Sequence, residues 1–404
     1  MAVMSEPLAP RRLGVDGLMV HGRAMSLKTR LAPLIAARLM SEGRQDRLRA
    51  KAERKRRKGG APHRLDVFHD PSDPYSQLLL SVLPALRSRY DVVIDIHRVG
   101  PPGPGAAPQP DRLAAYAATD AARLADRAGL PRPVTEDPAT GTAVADALLD
   151  RLGHYQGGMI HYGGEWYWGL DRLHHLETRL QSLGVLKSGA AGDVIYDPAQ
   201  APIGHGDSGG EPLHWFFSFR SPYSAVIAPS VFALADAYNA DLRLRFVLPM
   251  VMRGLPIPPA KRRYIPLDAA REARRIGTPY GRICDPVGRP VERGYALLHH
   301  AMRKGRGEAF VASFYRHVWA EGVDAGTDRG LRRIAGGAGF DWSEAKAALR
   351  DDSWRDVAEA NRGELLAMGL WGVPSFRVGD TVVWGQDRLW AVEEALAGRA
   401  AERA

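Results

Sequence analysis

The chain carries one pattern twice. The stretch "DPYSQLLLSVLPAL" at 73–86 returns as "SPYSAVIAPSVFAL" at 221–234, and "GGEWYWGLDRLHHLE" at 163–177 returns as "GDTVVWGQDRLWAVE" at 379–393. Matches at both ends of a unit, in the same order, mark a tandem duplication. Both copies must then share one order of elements. The first copy is the shorter, with about sixty residues between its second strand and its hairpin, so most of what the second copy inserts there is missing.

Hydrophobic spacing supplies the elements. In the first copy "RLDVFHD" reads as a strand, "SQLLLSVLPALRSRY" as a helix and "DVVIDIHRV" as a second strand. "GPPGPGAAPQP" then excludes regular structure, because proline lacks a donor and glycine is flexible. Helices are expected over 111–129 and 139–152, followed by a hairpin turning at Gly163-Gly164 and a closing helix "LDRLHHLETRLQSLG". A linker at 186–211, rich in Gly, Pro and Asp, leads to strand "LHWFFSF", helix "SAVIAPSVFALADAYN" and strand "ADLRLRFVLP". A hairpin at Gly379-Asp380 and the helix "QDRLWAVEEALAG" close the second copy, and 255–369 are patterned as an all-helical insertion. This is the order of a thioredoxin-like domain. The expected fold class is therefore α/β, with tandem thioredoxin-like domains at 64–185 and 212–400.

The net charge of +9 is local. Residues 1–60 hold 15 Lys and Arg against 5 Asp and Glu, and the remainder, at 40 against 41, is close to neutral. The folded copies thus give no nucleic-acid signal. The excess peaks in "RQDRLRAKAERKRRKGG", after an amphipathic "LKTRLAPLIAARLM". A solvated tail, partly helical or disordered, is expected, with weak contact to an anionic membrane or nucleic acid as the alternative. The apolar run is too short to span a bilayer and leads into positive charge rather than a cleavage site, so a cytoplasmic location is expected. Residues 1–24 show no periodic pattern, which makes Met25 a candidate start. The one cysteine, Cys284, allows no intrachain disulfide and is read as an inert thiol in or near the core.

In "FFSFRSPYSAVIAPS" Ser221 stands just before a helix, where free N–H groups and the positive end of the dipole stabilise an anion. The same position suits a plain N-cap. Gln386-Asp387-Arg388 open the last helix in the same way. Taken in order, "SFRSPYS", "AKRRYIPLDAAREARRIGTPYG", "NRGELLAMGLWGVPSF" and "VVWGQDRL" cover nearly all of the second copy. They resemble the DsbA-like branch of the thioredoxin superfamily, and within it the 2-hydroxychromene-2-carboxylate isomerases and kappa-class glutathione transferases.

The resemblance implies glutathione as cofactor. In that family a serine stands where thioredoxins have their first cysteine and holds the glutathione thiol; Ser221 matches it, so the nucleophilic thiolate would arrive on the cofactor. The resemblance further implies a cis bond at Val373-Pro374, with the Val373 backbone pairing with the cysteinyl unit. Backbone N–H groups at Gln386 would meet a carboxylate, the Asp387 side chain the α-amino group, and Lys261 would lie near the glutathione. Arg253 and Arg293 are candidates for the carboxylate of a second substrate. The implied reaction is glutathione-dependent isomerisation of, or transfer to, a small aromatic or conjugated keto acid by covalent catalysis.

The chain departs from the family in places. "MVMRGLPIPP" lacks the Gly-Asn often found after the second strand, and "DPVGRPVERGYALLHH" lacks an Asn-Ser pair, which leaves the acceptor open. His299 and His300 fall within a helical pattern and are read as surface or packed residues. In the first copy Asp73 replaces the serine and Gly158 the proline. A carboxylate there would repel a thiolate, so this copy is read as a structural or regulatory pseudo-copy. Its Asp171-Arg172 pair is not expected to form a site, and Trp166, Tyr167 and Trp168 are expected to pack between the domains. No GxGxxG follows a strand and no His/Cys cluster appears, so no metal, nucleotide or flavin is expected. A thiol-disulfide oxidoreductase would share the fold but lacks a CxxC, and a non-catalytic adaptor remains the rival class. A homodimer is the remaining partner expectation.

Overall fold

The computed structural model describes residues 27–138, 140–198, 203–255 and 257–403. Met25 lies outside them. Helices α1 (Leu27–Met40) and α2 (Glu42–Lys58) lead into the first copy: β1 (Arg64–His69), α3 (Pro74–Arg89), β2 (Val93–Arg98), α4 (Pro110–Ala128), α5 (Ala143–Leu152), β3 (Met159–Tyr162), β4 (Glu165–Trp168) and α6 (Leu173–Ser182). The second copy opens with β5 (Pro212–Phe217), α7 (Pro222–Ala237) and β6 (Asp241–Phe246). Its inserted helices are α8 (Pro259–Ile276), α9 (Arg289–Arg303), α10 (Gly307–Tyr315), α11 (Asp328–Gly337), α12 (Trp342–Ala348) and α13 (Trp354–Ala367). It closes with β7 (Ser375–Val378), β8 (Thr381–Trp384) and α14 (Leu389–Ala401).

Each copy builds a four-stranded sheet, ordered β2-β1-β3-β4 and β6-β5-β7-β8, with the first pair parallel and the rest antiparallel. The duplication extends to side-chain placement: β1 and β5 bury the same positions in the same order, as do β3 and β7. Both crossover helices start with proline at their first position, after Asp73 and Ser221, where a missing N–H costs nothing. The cores differ in mass. In the second copy Phe219 stacks on Phe314 at 3.8 Å and on Tyr295 at 5.1 Å, joining sheet to inserted helices. The first copy closes a smaller core around Leu65, Leu79, Tyr167 and Leu173.

The copies pack by exchanging cover for their sheet edges. An exposed edge strand offers unpaired backbone groups to any passing strand. Tyr116 and Arg123 of α4 bond the β8 backbone, the Trp384 N–H donating to the Tyr116 hydroxyl at 2.7 Å and Arg123 donating to the Val382 carbonyl at 3.3 Å. In return Arg271 of α8 donates to the Trp166 carbonyl of β4 at 3.2 Å. All three aromatics of β4 meet the seam: Tyr167 lies in the first core with Arg271 4.9 Å from its ring, Trp166 packs against Phe68 and His154 while its carbonyl accepts from Arg271, and Trp168 lines the cavity between the copies.

The expected solvated tail is, over the described residues, two docked helices. Gln45 and Arg49 of α2 hold Glu165 of the first copy at 2.9 Å, while Arg274 of the second copy donates to Gln45 and to the Met40 carbonyl. Pro33 of α1 is buried against Gly322. The tail docks because one face of each helix finds partners on the copies, which its overall charge concealed.

Candidate active site

Strand β5 runs into α7 through Ser221, whose extended backbone (φ −86°, ψ 116°) lets its side chain turn back over the helix mouth. The Ser221 hydroxyl accepts from the Ser224 N–H at 3.2 Å and donates weakly to the Val373 carbonyl at 3.4 Å. Val373-Pro374 is a cis peptide immediately before β7. Ser221 is half-buried and lines a cavity of about 320 Å³ at the seam of the two copies. The same cavity is lined by Lys261, Val373, Pro374, Gln386 and Asp387.

The cavity floor is a reciprocal ion-pair lattice. Arg172, from the first copy, donates to both oxygens of Asp268 at 3.0 Å and forks onto Asp387 at 2.8 and 3.2 Å, all in the second copy. Arg388, from the second copy, donates to Asp120 at 2.8 and 3.0 Å and forks onto Asp171 at 2.8 and 3.0 Å, all in the first. Tyr75 and Tyr223, one residue inside their helices, donate to Asp120 and Asp268 at 2.7 and 2.8 Å. Burial opposes both guanidinium charges, yet the carboxylates outweigh it and hold each pKa well above the usual value. Burial, with Asp171 and Glu272 nearby, pushes the Asp387 carboxyl up to about 6 although Arg172 pulls against it.

The walls are aromatic and partly unsatisfied. Trp371 and Trp384 meet edge-on at 4.8 Å, and Gly372 has no side chain because a Cβ there would strike Trp384. Tyr155, Trp168 and the Ala106-Ala107 turn of the Gly/Pro-rich loop complete the wall from the first copy. Gln386 Oε1, Trp371 Nε1 and the Tyr264 hydroxyl are buried cavity-lining residues' atoms with no hydrogen-bond partner. Such groups cost free energy, and all three atoms are sealed from the open cavity.

A family model for the DsbA-like thioredoxin domain matches residues 213–397. The second copy is a DsbA-like thioredoxin domain. The chain is 25% identical over 200 residues to a 2-hydroxychromene-2-carboxylate isomerase from Sphingobium xenophagum, covering 46% of this chain and 97% of that protein. It is 22% identical over 192 residues to the isomerase of the same name from Pseudomonas putida, covering 46% of this chain and 93% of that one. A solved 2-hydroxychromene-2-carboxylate isomerase aligns at a TM-score of 0.41 and 22% identity, covering 48% of this chain and 97% of its own.

Not every candidate joins the cavity of the DsbA-like domain. Lys261 does, with Nζ donating to the Ala106 carbonyl at 3.0 Å and lying 5.8 Å from the Tyr155 ring; burial lowers its pKa. Arg253 sits just behind the wall, donating to the Trp371 carbonyl at 3.0 Å. Arg293 turns away from the cavity to the Gly326 carbonyl and to Asp328, at the loop leading into α11. His300 pairs with Glu344, and Cys284 lies outside the cavity with burial pushing its thiol up to about 11. His174, His175 and Glu272 bring donor atoms within 4.8 Å of one another, and they form the one such metal-competent group among the described residues. Glu272 is already held by His175 at 2.6 Å and Arg275 at 3.0 Å, with Arg172 at 3.6 Å, so a cation there would meet two guanidinium groups.

No site was expected at Asp171-Arg172, and the structure sets the pair on the wall of the cavity at the seam. Asp171 and Arg172 line the cavity, and Arg172 is the residue that fixes Asp387. The signal was in the sequence: the Asp-Arg pair occurs in both copies because each arginine serves the other copy's aspartates.

Proposed function

We propose that the DsbA-like domain is a glutathione-dependent isomerase or transferase acting on a small aromatic or conjugated keto acid. The observation that carries this reading is the Ser221 hydroxyl on an open cavity wall, beside the Val373 backbone and within one cavity with Asp387. Bound there, glutathione supplies a thiolate that adds reversibly to a conjugated double bond and frees it to rotate.

The chain's own residues do the rest. Ser221 gives up its long bond to the Val373 carbonyl and donates to sulfur, while the mouth of α7 stabilises the negative charge. The Val373 carbonyl and neighbouring backbone take the peptide part of the ligand as an added strand. Asp387, locked by Arg172, accepts from the α-amino group. Lys261, with no acidic partner among the described residues, is the cation free to meet a carboxylate once it leaves Ala106. The aromatic walls exclude water, which strengthens each of these contacts.

Titration calorimetry tests the reading. Saturable glutathione binding, with thiolate absorbance that disappears in Ser221→Ala, supports it, as does a roughly hundredfold loss of glutathione-dependent turnover in that variant. No heat at millimolar glutathione would leave the adaptor class standing instead.

A further inference from the structure

The leading helical pair carries surface that neither copy uses. Among the described residues, five of the twelve exposed large apolar side chains lie in α1 and α2: Leu31, Leu34, Ile35, Leu39 and Leu48, each between 45% and 56% exposed. Their spacing in α1, at i, i+3, i+4 and i+8, puts them on one helical face. The opposite face of α1 is the docked one, with Pro33 buried on Gly322 and with Ala36 and Met40 against the second core. The exposed ridge is thus not the price of docking. After the single residue Ser41, α2 adds Arg47, Lys51, Arg54, Lys55 and Lys58, all exposed and with no acidic partner among the described residues.

We infer that α1 and α2 form a docking surface for an anionic lipid bilayer, on which the ridge inserts between headgroups and the basic run rests on them. Charge selects the occupant. Residues 1–60 are strongly basic while the two copies are close to neutral, so attraction to a negative surface would be directed through this end of the molecule. The apolar ridge selects further: nucleic acid would match the charge but leave Leu34 and Ile35 in water, whereas the headgroup boundary buries both. No helix among the described residues is long and apolar enough to cross a membrane, so the contact is a surface one.

The test is flotation of the full chain with vesicles of phosphatidylcholine alone and with vesicles containing phosphatidylglycerol. Binding should be confined to the anionic vesicles and weaken with added salt. Each of Arg54→Glu and Lys55→Glu should weaken it by at least about fivefold, and Ile35→Asp by a similar factor, with circular dichroism and light-scattering mass unchanged. Equal binding to both vesicle types, or none to either, overturns the proposal. So does tight binding to a duplex RNA that Ile35→Asp leaves intact, or a dimer that Ile35→Asp splits, which would give the ridge to a second copy of the chain.

Discussion

At the mouth of α7, Ser221 faces an open cavity beside Val373 and Pro374; at the mouth of α3, Asp73 stands outside that cavity beside Gly158. Gly158 has φ +68°, a conformation closed to proline, and a Cβ on Gly157 would strike Asp70. Burial pushes the Asp73 carboxyl up to about 7, with only backbone N–H groups of Tyr75 and Ser76 to offset it. The corresponding ends of the two copies therefore differ, one presenting a half-buried hydroxyl on the cavity and the other a half-buried acid outside it. The Asp-Arg ends have not diverged: they remain interchangeable in geometry. Two copies of one fold can differ at the mouth of one helix and still depend on each other at another.

The sharpest test separates these two ends. Arg388→Met should cost about 3–5 kcal/mol in urea unfolding, because it leaves Asp120 and Asp171 without their cation, and Arg172→Met should cost less, because Arg271 still holds Asp268. Only Arg172→Met should also weaken glutathione binding, by about tenfold, since it alone releases Asp387; equal losses in both would mean that the first copy still holds a site. Asp73→Ser comes next. The folded pKa of Asp73 lies above its ordinary value, so the fold accommodates the neutral acid: its contribution is intact below the usual carboxylate range and is lost as pH rises through about 7. Asp73→Ser should then gain on the order of 1–2 kcal/mol at pH 8 over its effect at pH 5, read from urea midpoints. The smallest effect is a pH profile. S-methylglutathione, whose sulfur does not titrate, should bind more weakly as pH falls through about 6, where Asp387 takes up a proton. A flat profile would remove Asp387 from the ligand contacts.

Much of this was legible in the chain. The hairpins turn where glycines mark them, Gly163 and Gly164 both at positive φ as a two-residue hairpin demands, and α4 falls at Pro110–Ala128 against an expected 111–129. Local rules suffice there, since turn chemistry and helical spacing act within a few residues. Ser221 was legible locally only as a helix start; its role and the cis bond before Pro374 were expected from the family resemblance. Arg293 misled because a cation in a helical pattern carries no sign of which side the helix will present. Arg172 was missed because its partners, Asp268 and Asp387, lie 96 and 215 residues away.

The sequence alone determined the repeated pattern, the order of strands and helices in each copy, and the hydroxyl at the mouth of α7, because periodicity, turn residues and helix starts are short-range effects. Only the tertiary structure decided that the copies exchange arginines, that the first copy walls the second copy's cavity, and that helices α1 and α2 are docked. Those outcomes depend on which charges are buried together, and burial is a property of the packed molecule.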